Sequence, residues 1–434
     1  MRRLYNFLFA LGFGVSAPFY FSKMWRRGNW QNGFSQRFGN HSGRLKQGLT
    51  NRTVLWLHAV SVGEVNICTQ LIQALEPRAP NLKIIVSTTT STGMGELQRK
   101  LPQHIDKIYY PIDGRKIVRR TLSVIHPNAI VLIEAEIWPN FLWNAADRGI
   151  PVFLVNARLS EKSFRGYKRF AFLFRPIFQS FAGVGCQNEA DAARLRELGF
   201  PPDKVHAFGN LKFDAAKLEE RRPLDVFHLL SQLGAKKDAP IIVAGSTHAG
   251  EEAILAEIFL RLRKKFPDLF LVLVPRHFER GKEVGRELEN RGVKFVYRSS
   301  ITPQTQREPG EVDCLLVNTT GELKFFYEHA SLIFVGKSLT AEGGQSPIEP
   351  GALGKAMVFG PNMQNFAQIA EAFVKNKGAV QVRDAAELEQ VITALLADPA
   401  QCNELGKNAL QVVRENLGAI ARTVDMILEK ILSS

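Results

Sequence analysis

Eleven short apolar runs, separated by stretches of helix length, constrain this 434-residue chain more than any other feature. In the first half they are VLWLHAV (54–60), KIIVS (83–87), AIVLIE (129–134), VFLVN (152–156) and AGVGCQ (182–187). Such runs are short for helices, and their near-continuous apolar character suits strands covered on both faces. Strands joined by helical crossovers form a parallel sheet with right-handed connections, so the pattern predicts a doubly wound α/β domain. From Lys212 to Asp238 the rhythm breaks in a charged stretch that carries Arg221-Arg222-Pro223. A second series follows: PIIVAGS (240–246), LFLVLVP (269–275), VKFVY (293–297), DCLLVN (313–318), SLIFVG (331–336) and KAMVFG (355–360). The chain therefore reads as α/β, two Rossmann-like domains facing a cleft, 31–214 and 238–434, with a linker over 215–237 and a separate segment over 1–30. The helical pattern from Ala385 to Ser434 is assigned to packing within the second domain.

Composition enters through charge. Lys and Arg number 56, Asp and Glu 42, for a formal net charge of +14, and 45% of residues are hydrophobic. That apolar content excludes a disordered chain, and the length supports two or three cores at about 100–200 residues per domain. The positive excess draws anionic ligands: nucleic acid, nucleotides or an anionic membrane face. No Lys/Arg block marks a nucleic-acid arm, and a solvated basic surface is the plain alternative. Cys68, Cys186, Cys314 and Cys402 lie far apart, with no CxxC pair and no paired histidines at ligand spacing. This argues against a disulfide framework or a structural zinc site, and for a reducing compartment.

Leu4 to Phe21 (LYNFLFALGFGVSAPFYF) is almost uncharged, lies between Arg2-Arg3 and Lys23, Arg26 and Arg27, and is followed by Trp25 and Trp30. About 18 residues is the lower edge of what spans a bilayer core, and two glycines and Pro18 weaken the helix, which leaves both spanning and interfacial placement open. A signal peptide ending at Val15-Ser16-Ala17 is the rival, with Pro18 just after the cut counting against it. A retained membrane-anchor helix is expected. Denser positive charge downstream keeps the large C-terminal part in the cytosol.

Open α/β sheets bind ligands at the carboxyl ends of their strands, which selects particular residues. Glu64 follows the first strand and the turn Ser61-Val62-Gly63 at a helix start, whose dipole keeps a carboxylate ionised. It suits a proton acceptor or a residue that merely offsets the dipole. Glu134 and Glu136 end the third strand on alternating sides. Glu134 continues an apolar strand and so calls for a Lys or Arg partner, in a structural ion pair or a catalytic role. Lys212, in GNLKFD where the chain leaves the first domain, can meet a phosphate. Arg276 follows Pro275 at another strand's end, and its fork suits phosphate or carboxylate as well as an ordinary surface position. AGSTHAGEE (244–252) is a strand, a small-residue turn and a helix start, weakly specific for an anion, and His248 and His277 read as polar loop residues. In VGKSLTAEGGQSPIEP (335–350), Gly343-Gly344 lets backbone approach a ligand, Ser346 to Glu349 starts a helix, and Glu349 can accept two ribose hydroxyls. A glycine turn with a helix-start glutamate is the alternative there.

In order along the chain, WLHAVSVGE, EAEIWPN, NARLS, GNLKFD, AGSTHAGEE, LVPRH, TGELKFFY and GGQSPIEP resemble the motifs of the bacterial 3-deoxy-D-manno-octulosonic acid (Kdo) transferases of lipid A and lipopolysaccharide biosynthesis. The resemblance covers nearly the whole chain. It implies a glycosyltransferase fold of the B type, a CMP-Kdo donor, a lipid A precursor (lipid IVA) as acceptor, contact with inner-membrane lipid, and no metal, cofactor or nucleic acid. Matched by motif, Glu64 corresponds to the family's general base, and Glu134 and Lys212 to transition-state stabilisers. Pro275 and Arg276, then Thr320, Gly321 and Glu322, then Ser346, Pro347, Ile348 and Glu349 correspond to the segments that hold CMP. Gln345, Ser346 and Ile348 stand where His, Asn and Leu are common, and Ser346 is shorter than Asn.

The implied reaction is attack by the acceptor hydroxyl, deprotonated by Glu64, on the anomeric carbon of Kdo as the CMP phosphate departs, with inversion. Charge grows on the leaving phosphate, where Lys212 and Arg276 would act, while Glu134 would steady the oxocarbenium-like sugar. The alternatives are a nucleotide-sugar epimerase or hydrolase of the same fold, and a non-enzymatic basic protein on membrane or RNA.

Overall fold

The computed structural model describes residues 1–26, 33–134, 137–216 and 224–432. Expectations that rest on Arg27, Trp30, Glu136 and Arg221-Arg222-Pro223, or on the Lys23 side chain, lie outside the described residues. The chain divides into two compact units, Met1–Ala215 together with Asn416–Ser434, and Ala216–Glu415.

In the first unit seven strands pair in parallel: β1 (Val54–His58), β2 (Lys83–Thr88), β3 (Asp106–Tyr109), β4 (Ala129–Ile133), β5 (Val152–Ala157), β6 (Phe181–Cys186) and β7 (Val205–Ala207). Their order is β3-β2-β1-β4-β5-β6-β7, so the winding reverses between β1 and β4. The central strands are apolar throughout because both faces are covered. Val54 and Trp56 enter one core cluster with Phe141 and Phe178, while Leu55 and Leu57 enter the opposite one with Val65 and Phe153. Strands β3 and β7 escape an apolar-run reading. The first begins Asp-Lys, and two of the three residues of the second are exposed, as edge strands allow.

The second unit repeats the plan with β8 (Ile241–Thr247), β9 (Phe270–Pro275), β10 (Phe295–Tyr297), β11 (Cys314–Leu316), β12 (Leu332–Val335), β13 (Met357–Phe359) and β14 (Val380–Gln381), in the order β10-β11-β9-β8-β12-β13-β14. Strand β14, two residues long, has no signal in the sequence. Part of the expected linker belongs to this unit, because Val226–Gln232 is a helix whose Leu229 and Leu230 are buried.

The last helix corrects the domain assignment. Ala385–Ala397 and Pro399–Asn416 are helices whose Leu388, Ile392, Leu395 and Leu405 join the core of the second unit. Ala419–Leu432 instead inserts Ala419, Val424, Ile427 and Leu428 into the core of the first. Two contacts draw it there. Asp214 accepts the backbone N–H groups of Gly418 (2.7 Å) and Ile420 (2.6 Å) at the helix start. Gly183 on β6 leaves space for Met426, whose Sδ lies 2.7 Å from where a Cβ would sit.

Arg2–Arg26 is a helix despite Pro18. Its first turn is fastened to the first unit: Arg2 donates to both oxygens of Asp147 (2.7 and 3.0 Å), Tyr5 Oη donates to Asp113 (2.8 Å), and Asn140 Nδ2 donates to Asn6 Oδ1 (3.0 Å). Leu4, Phe7, Leu8, Leu11, Val15 and Phe19 are exposed. Among the described residues no helix is long and apolar enough to cross a membrane.

Candidate functional site

The carboxyl edge of the first sheet gathers charge from four strand ends. Glu64 lies in the first turn of helix Val62–Leu75 after β1, Glu134 follows β4, Arg158 follows β5, and Lys212 follows β7. Lys212 Nζ lies 3.7 Å from Glu134 Oε1, and Arg158 Nε lies 3.4 Å from Glu134 Oε2. The cationic partner that burial demanded of Glu134 is thus a pair, and Arg158, inside NARLS, is a member that sequence reasoning passed over. Glu134 does not continue the strand as expected. β4 stops at Ile133 and Glu134 takes a left-handed φ of 65°. That conformation costs a non-glycine residue about 1–2 kcal/mol, and it occurs where two cations meet one carboxylate.

Glu64 is held from both sides. Ser61 caps the helix by accepting the Glu64 N–H (3.3 Å), the Ser61 hydroxyl donates to Oε1 (2.8 Å), and the Val60 N–H donates to Oε2 (2.7 Å). This is capping-box chemistry shifted by one residue at the amide end, so the structural role weighed for Glu64 is present. It does not exhaust the carboxylate, whose two oxygens offer about four acceptor sites. The residue is 9% exposed. Burial raises its pKa above the ordinary value of 4.5, opposed by the two hydrogen bonds and by His58 and reinforced by the charge of Glu134. Desolvation is the largest of these influences. Lys212 completes the grouping, with Nζ 3.8 Å from the point where a Gly63 side chain would begin.

A buried amide network sets the Lys212 turn. Asn156, left-handed at φ 53°, accepts the Leu211 N–H (3.0 Å), Asn210 Oδ1 accepts the Lys212 N–H (3.1 Å), and Asn210 Nδ2 donates to Gln187 (3.1 Å). The Asn210 N–H donates to Asn416 Oδ1 (2.9 Å), so the returning C-terminal segment braces the same turn.

In the second unit the candidate donor residues fall into two groups. Arg276 is exposed directly after β9, with Pro275 buried behind it and its N–H donating to Thr247 O (3.0 Å). Glu349 lies in the short helix Ile348–Ala352 and keeps an exposed surface. Its packed side still desolvates the carboxyl enough to raise its pKa, against the pull of Lys324 and Arg276. Arg276, Glu349 and the unanticipated Lys324 therefore share one field. Glu322 is engaged elsewhere, with Arg298 (2.9 Å) and the Thr319 hydroxyl, while Thr320 and Gly321 are exposed beside it. Ser346 Oγ accepts the Ile348 N–H (3.4 Å) ahead of buried Pro347 and Ile348.

Two expectations change here. Gly343 and Gly344 are left-handed (φ 118° and 71°), but what presses on them is protein: Asn365 Nδ2 and Met363 Sδ each lie 2.6 Å from a would-be Cβ. Their need for glycine is explained by packing of the loop on itself. The AGSTHAGEE turn is also not a vacant anion cradle. Fully buried Glu251 already accepts the N–H groups of His248, Lys337, Ser338 and Leu339 at 2.8–2.9 Å, binding the β8 and β12 loops together. Cys68, Cys186, Cys314 and Cys402 are free thiols, and the described residues form no cluster able to hold a metal ion.

Comparison with known proteins bears on both units. Residues 32–215 match the family described as 3-deoxy-D-manno-octulosonic-acid transferase (kdotransferase). The 3-deoxy-D-manno-octulosonic acid transferase of Haemophilus influenzae is 32% identical over 393 residues, 90% of this chain and 88% of the relative. That of Bordetella pertussis is 32% identical over 428 residues, 95% and 96% of the two chains. In fold alone, the UDP-GlcNAc 2-epimerase of Neisseria meningitidis is similar, with a TM-score of 0.53 at 17% identity, covering 88% of this chain and all of that one. With about a third of residues shared across nine-tenths of both sequences, the chain belongs to the 3-deoxy-D-manno-octulosonic acid transferase family and is a glycosyltransferase.

Proposed function

We propose that the protein transfers Kdo, with inversion, from CMP-Kdo to a lipid A precursor such as lipid IVA in lipopolysaccharide biosynthesis, on a fold of the glycosyltransferase B type. The observation that carries the mechanism is the gathering of Glu64, Glu134 and Lys212 at one sheet edge. Glu64 takes the proton of the acceptor hydroxyl. Its raised proton affinity favours this over an ordinary surface carboxylate, and Val60 and Ser61 aim it. The alkoxide attacks the anomeric carbon, the C–O bond to the CMP phosphate breaks, and the phosphate carries the electron pair away.

Lys212, positioned by the amide network and by Glu134, faces growing negative charge, and Glu134 balances positive charge on the sugar. In the second unit Arg276 binds the CMP phosphate, Glu349 the ribose hydroxyls, and Pro275, Thr320, Gly321, Glu322, Ser346, Pro347 and Ile348 shape the surroundings. The helix Arg2–Arg26 lies in the interface of the inner membrane, with the catalytic units on the cytosolic face. The apolar side chains left exposed along it support this, as does the fastening of its first turn to the first unit, which a helix crossing to the far side could not keep.

Mass spectrometry of a tetraacylated lipid A precursor incubated with CMP-Kdo and the protein tests the proposal. A mass gain of one or more Kdo units is expected. CMP-Kdo consumption without acceptor modification, in the absence of detergent and lipid, would instead favour a hydrolase or epimerase.

A further inference from the structure

The connection from β5 to β6 runs as helix Glu161–Arg169, turns at Phe170, and continues as helix Ala171–Phe178. Its inner side is explained by packing, since Phe164, Tyr167, Leu173 and Phe174 lie against the core of the first unit. Its outer corner is not. Phe170 and Phe172 are 48% and 62% exposed, with ring centroids 6.4 Å apart. Five exposed cations lie on the same two helices, and the Arg169 guanidinium sits 5.9 Å from the Phe170 ring centroid. Arg165 and Lys168 have Glu161 (3.1 Å) and Glu197 (2.6 Å) as partners, whereas Lys162, Arg169 and Arg175 have no carboxylate at ion-pair distance among the described residues.

Two neighbouring phenylalanines in water beside uncompensated cations match the chemistry of an anionic lipid surface, apolar just beneath and negative at the headgroups. The placement agrees. Helix Ala171–Phe178 packs on helix Pro139–Ala146, and the N-terminal helix is fastened to that same helix and its end through Asn140, Trp143 and Asp147. Both exposed apolar features are therefore mounted on one support. We propose that the Phe170–Phe172 corner is a second membrane contact, in which the phenylalanines enter the headgroup region while Lys162, Arg169 and Arg175 pair with anionic phospholipid. The proposal rests on the reading that the acceptor lies in such a membrane. Aromatic and basic residues also suit single-stranded RNA, but that mode strings bases along a groove, whereas these two rings sit on a helix corner.

The test uses full-chain protein and vesicles of phosphatidylcholine with or without phosphatidylglycerol, read by sedimentation with no donor or acceptor present. Failure of the contact is thereby separated from failure of transfer, which is assayed on detergent-dispersed acceptor. Replacing Lys162, Arg169 and Arg175 by Gln should lower partitioning into phosphatidylglycerol vesicles about 100-fold at low salt. F170S/F172S should lose retention at high salt, where the charge attraction is screened. Phe172→Trp, a variant that keeps the aromatic ring, should gain tryptophan emission that dibrominated lipid quenches beyond the parent's background. Unquenched F172W emission, or parental partitioning by both multiple variants, overturns the proposal. So does loss of single-stranded RNA binding in F170S/F172S with vesicle binding intact, which would assign the corner to nucleic acid.

Discussion

Glu64→Gln separates the cap that this side chain completes from the general-base role proposed for it. The amide keeps the shape of the side chain, and its oxygen can still accept the Val60 N–H that Glu64 holds at 2.7 Å, while the Ser61 hydroxyl can turn to accept from the new NH2 group. The cap should therefore survive. What disappears is the proton acceptor, and losing a positioned general base costs about two to four decades of turnover, or about 3–5 kcal/mol in activation free energy. The stability change has a sign that can be worked out. Burial holds the folded carboxyl above its ordinary value of 4.5, so its contribution to stability is fully present below 4.5 and is lost as the pH rises through the raised value. Gln does not ionise, so E64Q should gain stability relative to the parent between pH 4.5 and neutrality. Single-turnover transfer to detergent-dispersed acceptor reads the first effect, thermal melts across pH read the second, and calorimetry with CMP should find donor binding unchanged. Near-parental turnover in a folded E64Q protein would refute the assignment of the base. A melt difference that does not vary with pH would refute the account of its burial.

Glu134→Gly should be more stable than Glu134→Ala by about 1 kcal/mol in thermal melts, because only glycine escapes the cost of the left-handed φ of 65° that both inherit. Arg276→Ala should weaken CMP binding by about 1.5–3 kcal/mol in calorimetry, through loss of a charge-assisted pair to phosphate; unchanged affinity would move the phosphate site elsewhere. Asp113, buried beneath Tyr5, has its carboxyl pushed up from 3.8 to about 6, so stability should fall as the pH rises from 4 through 6 in the parent but not in Asp113→Asn, as melts at matched ionic strength can show. Serine substitutions at Leu8, Leu11, Val15 and Phe19 should reduce retention on anionic vesicles without slowing transfer in detergent, because these side chains are exposed and lie outside the first-turn contacts to Asp113, Asn140 and Asp147.

Much of the site was legible before the fold because position along a parallel strand is also position in space. Glu64, Glu134, Lys212 and Arg276 each follow a strand's carboxyl end, and winding the strands in parallel brings residues 78 positions apart to within 3.7 Å, as for Lys212 and Glu134. Arg158 escaped notice since nothing in NARLS separates a site arginine from a surface one; the distinction is the largely buried carboxylate of Glu134, which follows another strand. Lys324 escaped for the same reason.

Local pattern was sufficient for what local physics decides. An apolar run bounded by turns must be buried on both faces, so the sequence by itself determined two parallel-sheet units and the end of each strand at which chemistry could gather. The capping at Glu64 is equally local, because Ser61 and Glu64 are three residues apart. Which apolar surface covers which was decided only by the tertiary structure. Helix Ala419–Leu432 has the same kind of apolar stripe as its neighbours, yet it belongs to the first unit because Asp214 and the space above Gly183 receive it there. The same holds for charge. A dipole argument treats Glu64 as an isolated helix start, whereas burial in the folded unit raises its proton affinity, and Gly343-Gly344 and Glu251 are engaged by Asn365, Met363 and the β12 loop. Burial sums over every neighbour in space, and a linear pattern carries only those along the chain.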